Sequence, residues 1–475
     1  MSVLFRDAQI LDGSGAAPFR GDLRVDGQRI AAVGAPGSIA ADARDRIVDC
    51  AGATLMPGLV EPHAHLSFLD QSNPAQFSAV PVEEHLLATL RHAKLYLDCG
   101  FTSCFSAAAT KPRLDVVVRD AIDRGEHPGP RLRAASVQLT VTGGVGDLRQ
   151  LHLDPGEAMY TLPCDGPVEF RRAAREACRE GVDVLKIVPS GDTSTPAIPS
   201  PTTLMADDEV AAVCEVARER GRRVAAHARS AASVKMCVRH GVDVIYHATC
   251  ADAEALDMLE AAKDRVFVAP AMSVTWTRLH ESGKYGLPSS PAMRARIERD
   301  LEMTCERMVE LRKRGVRVLP GGDYGFAWNP HGNNARDLAF FVDLMGFTPM
   351  EAIVAATKWG GELMCAPTLA AGAASLPPEG AERAPRGGPS ARVTTPTLAA
   401  GAASLPPEGA ERAPRGGPSA RVGTILPGEL GVLRTGALAD LLLVDGDPLA
   451  DVAILQDRAR LRAIMKDGVF HKAPP

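Results

Sequence analysis

Thr54-Leu55-Met56-Pro57-Gly58-Leu59-Val60-Glu61-Pro62-His63-Ala64-His65 is the stretch on which the reading of this chain turns. Thr54 to Val60 is a short apolar run that predicts a strand, and two histidines follow at its end. Residues two apart on an extended chain project the same way, so both imidazoles can face one ion. Moving outward, short apolar runs alternate with helical stretches up to about residue 365. The further runs are Phe101 to Phe105, Leu132 to Leu139, Val182 to Val188, Arg223 to Ala226, Val242 to Tyr246, Val266 to Ala269 and Val316 to Leu319. Eight strands alternating with helices predict repeated β-α units and a (β/α)8 barrel. Helical periodicity over Asp207 to Arg220 and Met293 to Arg314 stops at Gly221 and Gly315, where glycine fits a helix C-cap.

Either side of this region the texture changes. Residues 1–56 read as short alternating strands, with Asp26-Gly27 as a hairpin turn. Gly436 to Pro448, Leu461 to Met465 and Val469-Phe470 have the same character at the other end. The predicted architecture is therefore an α/β chain with a barrel over 57–366 and a small β-sandwich built from 1–56 and 423–475. Between them, residues 367–393 (PTLAAGAASLPPEGAERAPRGGPSARV) recur letter for letter at 396–422. Each copy holds 7 Ala, 5 Pro and 4 Gly and no aromatic, too little apolar area to offset chain entropy, so 367–422 reads as a disordered insertion. Two copies fall short of the three or so that a solenoid needs.

Composition narrows the function. Lys and Arg number 53 against 58 Asp and Glu, a balance of −5, which is no footprint for nucleic acid or an anionic membrane. Aromatics are 4% of the residues, too few for base-stacking platforms. No apolar run approaches the roughly 18 to 20 residues needed to span a bilayer. The first residues lack the basic and apolar segments of a signal peptide. Ten cysteines occur without a Cys-x-x-Cys, as expected of a reduced cytoplasmic protein.

The residues that carry chemistry fall at strand ends. Lys186 lies in Val182-Asp183-Val184-Leu185-Lys186-Ile187-Val188, a run that reads as a strand buried on both faces. A bare ammonium there is costly, and a neutral amine can add carbon dioxide to become a carbamate able to bridge two cations. A lysine snorkelling from the strand end is the structural alternative. His227 ends one strand, His247 the next, 20 residues on, and Asp323 follows the eighth. With His63 and His65 these make six candidates at C-terminal strand ends, where barrel enzymes keep their sites.

These motifs resemble the amidohydrolase superfamily: PGLVEPHAH at 57–65, the fourth-strand lysine, two single histidines, the eighth-strand Asp and ADLLLVDGDPL at 439–449. Within it, Thr142-Gly143-Gly144, Pro189-Ser190-Gly191 and Ala225-Ala226-His227-Ala228 resemble the imidazolonepropionase-like branch, which holds Xaa-Pro dipeptidases and ochratoxin amidases. Many relatives carry His after Thr-Gly-Gly; here it is Val145. The resemblance implies two divalent ions, zinc being expected. His63, His65 and Asp323 would hold one, His227 and His247 the other, and carboxylated Lys186 would bridge them. It also implies that a metal-bridging hydroxide attacks an amide, peptide-like, carbamate or urea C–N bond, with Asp323 as the acid–base group. Arg229 is placed to hold a substrate carboxylate, Tyr246 to donate to the oxyanion in place of the missing histidine, and His331 to contact substrate. The expected partner is a small-molecule substrate, and the expected assembly a homo-oligomer. A deaminase or cyclic-amide hydrolase is the alternative, against which Lys186 argues, and a non-catalytic scaffold is a third reading.

Overall fold

The computed structural model describes residues 2–365 and 428–474, apart from 74, 150, 151, 153–159, 196 and 288. The repeat at 367–422 lies outside the described residues. Five strands precede the helices: β1 (Ser2–Ile10), β2 (Phe19–Asp26), β3 (Arg29–Gly34), β4 (Asp45–Asp49) and β5 (Thr54–Pro57). The β-α region holds β6 (Leu59–Ala64), β7 (Phe101–Ser106), β8 (Arg131–Arg133), β9 (Ala135–Thr140), β10 (Thr161–Pro163) and β11 (Val184–Ile187). It continues with β12 (Arg223–Ser230), β13 (Val244–Cys250), β14 (Phe267–Ala269) and β15 (Arg317–Val318). The chain ends on β16 (Leu441–Val444), β17 (Leu461–Lys466) and β18 (Val469–Lys472).

Two predicted strands are each two strands. The run from Thr54 divides at Gly58: β5 pairs with β1 and β16 in the terminal sheet, while β6 pairs with β7. A Cβ on Gly58 would sit 2.2 Å from Thr102 Oγ1, so only glycine passes this crossing. Leu132 to Leu139 divides at Ala134, with β8 on β7 and β9 on β11. The parallel strands thus run in chain order as β6-β7-β8 and β9-β11-β12-β13-β14-β15, with the added β10 on the free edge of β9. Every residue of β6, β7, β11 and β12 is buried, as parallel strands covered on both faces should be.

The termini do meet. Hydrogen bonds join eight strands into one sheet, β18-β17-β16-β5-β1-β2-β3 with β4 on β1. β1 takes β4 along its first half and β5 at its end. Along β16, Leu441 and Leu443 enter the core of this sheet, while Leu442 and Val444 face the core that holds Tyr96 and Leu97 of helix Val82–Asp98. The period of two therefore glues the terminal sheet to the β-α region. Arg131 pins the same seam, reaching Asp440 at 3.3 Å and Asp467 at 2.5 Å. The predicted helices appear as Asp207–Arg220, closed by Gly221 at φ 59, and Pro291–Lys313. Beyond the first of these, Ser230 caps helix Ala231–His240 by accepting from the Ser233 N–H at 3.2 Å.

Candidate metal centre

Parallel strands share one direction, so the residues at their C-terminal ends gather on one side. From β6 come His63 and, one residue past its end, His65, with ring centroids 5.2 Å apart. β12 supplies His227 and β13 supplies His247, whose rings meet edge to face at 4.4 Å. Asp323 follows β15. Ligand atoms of His63, His247 and Asp323 all lie within 4.8 Å of one another. Asp323 Oδ1 is 3.3 Å from His65 Nε2 and 3.8 Å from His63 Nε2. Lys186 Nζ sits 4.2 Å from the centre of the Tyr246 ring, which stacks on His63 at 3.7 Å. The structure therefore brings together the six positions expected to hold metal.

Backbone and side-chain evidence both mark the place. His247 and Asp323 are held at φ 76 and 58, left-handed values that cost a non-glycine residue on the order of 1–3 kcal/mol. Both ring nitrogens of His247 and Nδ1 of His63 are buried without a hydrogen-bond partner. Buried polar atoms are rarely left so, and unpartnered imidazole nitrogens beside a carboxylate form a donor set that fits a divalent cation such as zinc.

The electrostatics agree. Burial, then the Lys186 charge, holds His63 well below its usual value, and burial, then Arg229, does the same for His247. His227 is pulled down to about 4, again by burial and then Arg229. Neutral imidazoles are the form that binds metal. Burial brings the Lys186 ammonium down to about 7 against the pull of Asp323. Burial alone would raise the Asp323 carboxyl, but His63, His65 and Lys186 outweigh it and keep it below the usual carboxylate range.

The three expected substrate residues are differently employed. Tyr246 is fully buried, and its hydroxyl donates to the Pro62 carbonyl at 2.9 Å rather than standing free for an oxyanion. His331 packs its ring on His92 at 4.2 Å, with Nε2 at 3.0 Å from the Phe68 carbonyl and Nδ1 at 3.1 Å from the Tyr96 hydroxyl. Arg229 is buried beside the centre, with Nε 3.3 Å from Asp192 and Nη1 donating to Thr249 Oγ1 at 3.1 Å.

Several residues at the site escaped sequence reasoning. Buried Glu61 accepts from the His63 N–H at 2.9 Å and from Asn334 Nδ2 at 3.0 Å, and burial, then Asp337, pushes its carboxyl up to about 8. A carboxylate inside an apolar strand was the available signal. Asn329 and Asn334 carried none, because loop amides have no periodicity. Phe68 stacks on His65 at 4.2 Å and meets Phe77 of the short helix Ala75–Ala79 and the remote Phe326 at 4.9 and 5.3 Å, forming an aromatic wall.

A parallel β-α array with convergent His, Lys and Asp side chains in and just beyond its strands defines a class of hydrolase. The amidohydrolase family model matches residues 54–364, and the chain belongs to that family of hydrolases acting on carbon–nitrogen bonds. Ochratoxinase of Aspergillus niger is 24% identical over 443 residues, spanning 88% of this chain and 76% of the relative. A prolidase solved in complex with N-methylphosphonate-L-proline superposes with a TM-score of 0.77 at 22% identity, over 100% of both chains. A Xaa-Pro dipeptidase with methionine in its active site gives 0.75 at 22%, also over 100% of both. These relatives lie in the branch of Xaa-Pro dipeptidases and ochratoxin amidases to which the motifs pointed.

Proposed function

We propose that the protein is a metal-dependent amidohydrolase that cleaves the carbon–nitrogen bond of a small amide, peptide-like, carbamate or urea substrate. The observation that carries this reading is the convergence of His63, His247 and Asp323 within 4.8 Å, with both His247 nitrogens unpartnered. The strand order supports reading the two parallel sheets as one (β/α)8 barrel and the terminal sheet as its β-sandwich. His63, His65 and Asp323 would hold one ion, His227 and His247 a second, and Lys186 would join them as its carbamate. Burial favours the neutral amine that carboxylation requires.

Divalent ions held there supply Lewis acidity toward a carbonyl and a water acidic enough to ionise near neutrality. The chain's own residues do the rest. Asp323, ionised beside two imidazoles, accepts a water proton and returns it to the leaving nitrogen. Burial, helped by the Arg229 charge, keeps His227 and His247 unprotonated. The Phe68 wall beside His65 excludes water from one flank of the site. Lys186 at the centre favours this reading over a one-metal deaminase.

Among the described residues no helix is long and apolar enough to cross a membrane, and the ten cysteines are free, which supports a cytoplasmic enzyme. A symmetric homo-oligomer is the assembly we expect. The test is metal content per chain on protein prepared with bicarbonate, beside Lys186→Ala, followed by a panel of N-acyl amino acids, dipeptides, carbamates and ureas. Two ions in the parent and one or none in the variant are expected. Less than one ion per chain, with no activity after metal addition, overturns the reading.

A further inference from the structure

The segment Asn329-Pro330-His331-Gly332-Asn333-Asn334 touches two of the segments that carry candidate ligands, the turn at Asp323 and the chain from β6 to Phe68. Asn329 Nδ2 donates to the Gly322 carbonyl at 2.8 Å and to the Asp323 carbonyl at 3.1 Å. Its Oδ1 accepts from Ser273 Oγ at 2.7 Å. These bonds fix which way the amide faces, since a flipped amide would set oxygen against two carbonyls. Asn334 braces Glu61, which holds the His63 N–H, and the His331 ring grips the Phe68 carbonyl just past His65.

Of these contacts, the one on Asp323 bears on chemistry. Aspartate enters the left-handed region more readily than most residues, yet still at a cost, and φ 58 is maintained here between two captured carbonyls. Asn329 is 1% exposed, so water does not replace its amide. We propose that Asn329 is a positioning residue: its buried amide clamps the backbone on both sides of Asp323 and so aims that carboxylate at the His63 and His65 imidazoles. The inference rests on the metal-dependent reading above. Without the clamp the peptide relaxes, the carboxylate swings from its imidazole partners, and ion affinity falls as for other residues that orient a ligand.

The experiment compares wild type, Asn329→Leu, which is neutral and near in size, and Ser273→Ala, which removes the hydroxyl that supports the far side of the amide and also bonds Tyr324, leaving the Asn329 contacts to the Asp323 backbone in place. Asn329→Ala serves if leucine is not accommodated. Zinc affinity is measured by chelator competition, and the melting temperature on metal-free protein. Asn329→Leu is expected to weaken zinc binding about 10- to 100-fold, while Ser273→Ala stays within about threefold of wild type despite a similar loss of metal-free stability. Wild-type affinity in Asn329→Leu would overturn the inference while leaving the metal reading intact. A wild type that takes up no zinc removes the metal reading and the inference with it, a different and separable failure.

Discussion

Tyr246 and His247 are neighbours in sequence with different employment. His247 keeps two unpartnered ring nitrogens, whereas the Tyr246 hydroxyl is spent on Pro62 and its ring on His63. Tyr246→Phe keeps the stacking and loses one buried hydrogen bond, so it should cost about 1–2 kcal/mol in chemical denaturation. The same variant should keep kcat within about threefold; an oxyanion donor would cost about 100- to 1,000-fold. His92 and His331 make a second prediction. Burial, then His331, holds His92 down to about 3, and burial holds His331 down to about 4. Both values lie below the roughly 6.5 of an unfolded chain, so above pH 6.5 the pair contributes nothing to the pH dependence. Between pH 6.5 and 4 the unfolded chain binds the extra protons, and stability falls with pH by up to about 1.4 kcal/mol per unit for each ring. His92→Phe should flatten that acid slope, read from denaturation midpoints at pH 7.5, 5.5 and 4.5; an unchanged slope would dismiss the assignment. That the six positions expected to hold metal converge was legible because each lies in or beyond one of the parallel strands, which the pattern reveals. The employment of Tyr246, His331 and Asn329 was not, because it depends on which carbonyl lies within reach, and no local pattern records that.

At the scale of elements, the alternation of apolar runs with helices exposed the parallel strands but not where two of them break. Gly58 and Ala134 sit inside apolar runs, and what divides those runs is the partner on either side. β10, three residues on the edge of β9, was too short to read. The seam between β8 and the terminal sheet offers the sharpest test. The Arg131 side chain is 12% exposed, and Asp440, at 1%, depends on it for charge compensation. Removing one partner of a buried pair leaves an uncompensated charge, so Arg131→Met should destabilise by about 3–5 kcal/mol. Arg131→Met with Asp440→Asn should recover part of this, as a double-mutant cycle would display; additive losses would rule out the pairing.

Over the whole molecule, the described chain stops at Cys365 and resumes at Gly428, yet the flanks lie together. A Cβ on Gly361 would meet the Leu430 carbonyl at 2.3 Å, and one on Gly431 would meet the Thr357 carbonyl at 2.1 Å. Replacing residues 367–422 with a short glycine–serine linker should therefore leave zinc content unchanged and the melting temperature within a few degrees, because the described flanks lie close together and a short connection between adjacent ends costs little. A loss of metal on that deletion would give the repeat a role its composition does not suggest.

The terminal sheet also sets a timetable for synthesis. Among the described residues β5 presents an edge that only β16 pairs on that side, and β16 lies roughly 380 residues downstream. At about 5–20 residues per second the ribosome delivers that partner roughly 20–80 s later. Throughout this interval Leu55 and Met56, bound for the interior, have no β16 beside them, and the nascent chain offers a sticky strand edge to its neighbours on the polysome. A cell that makes this enzyme must shelter its first sixty residues until its last fifty emerge.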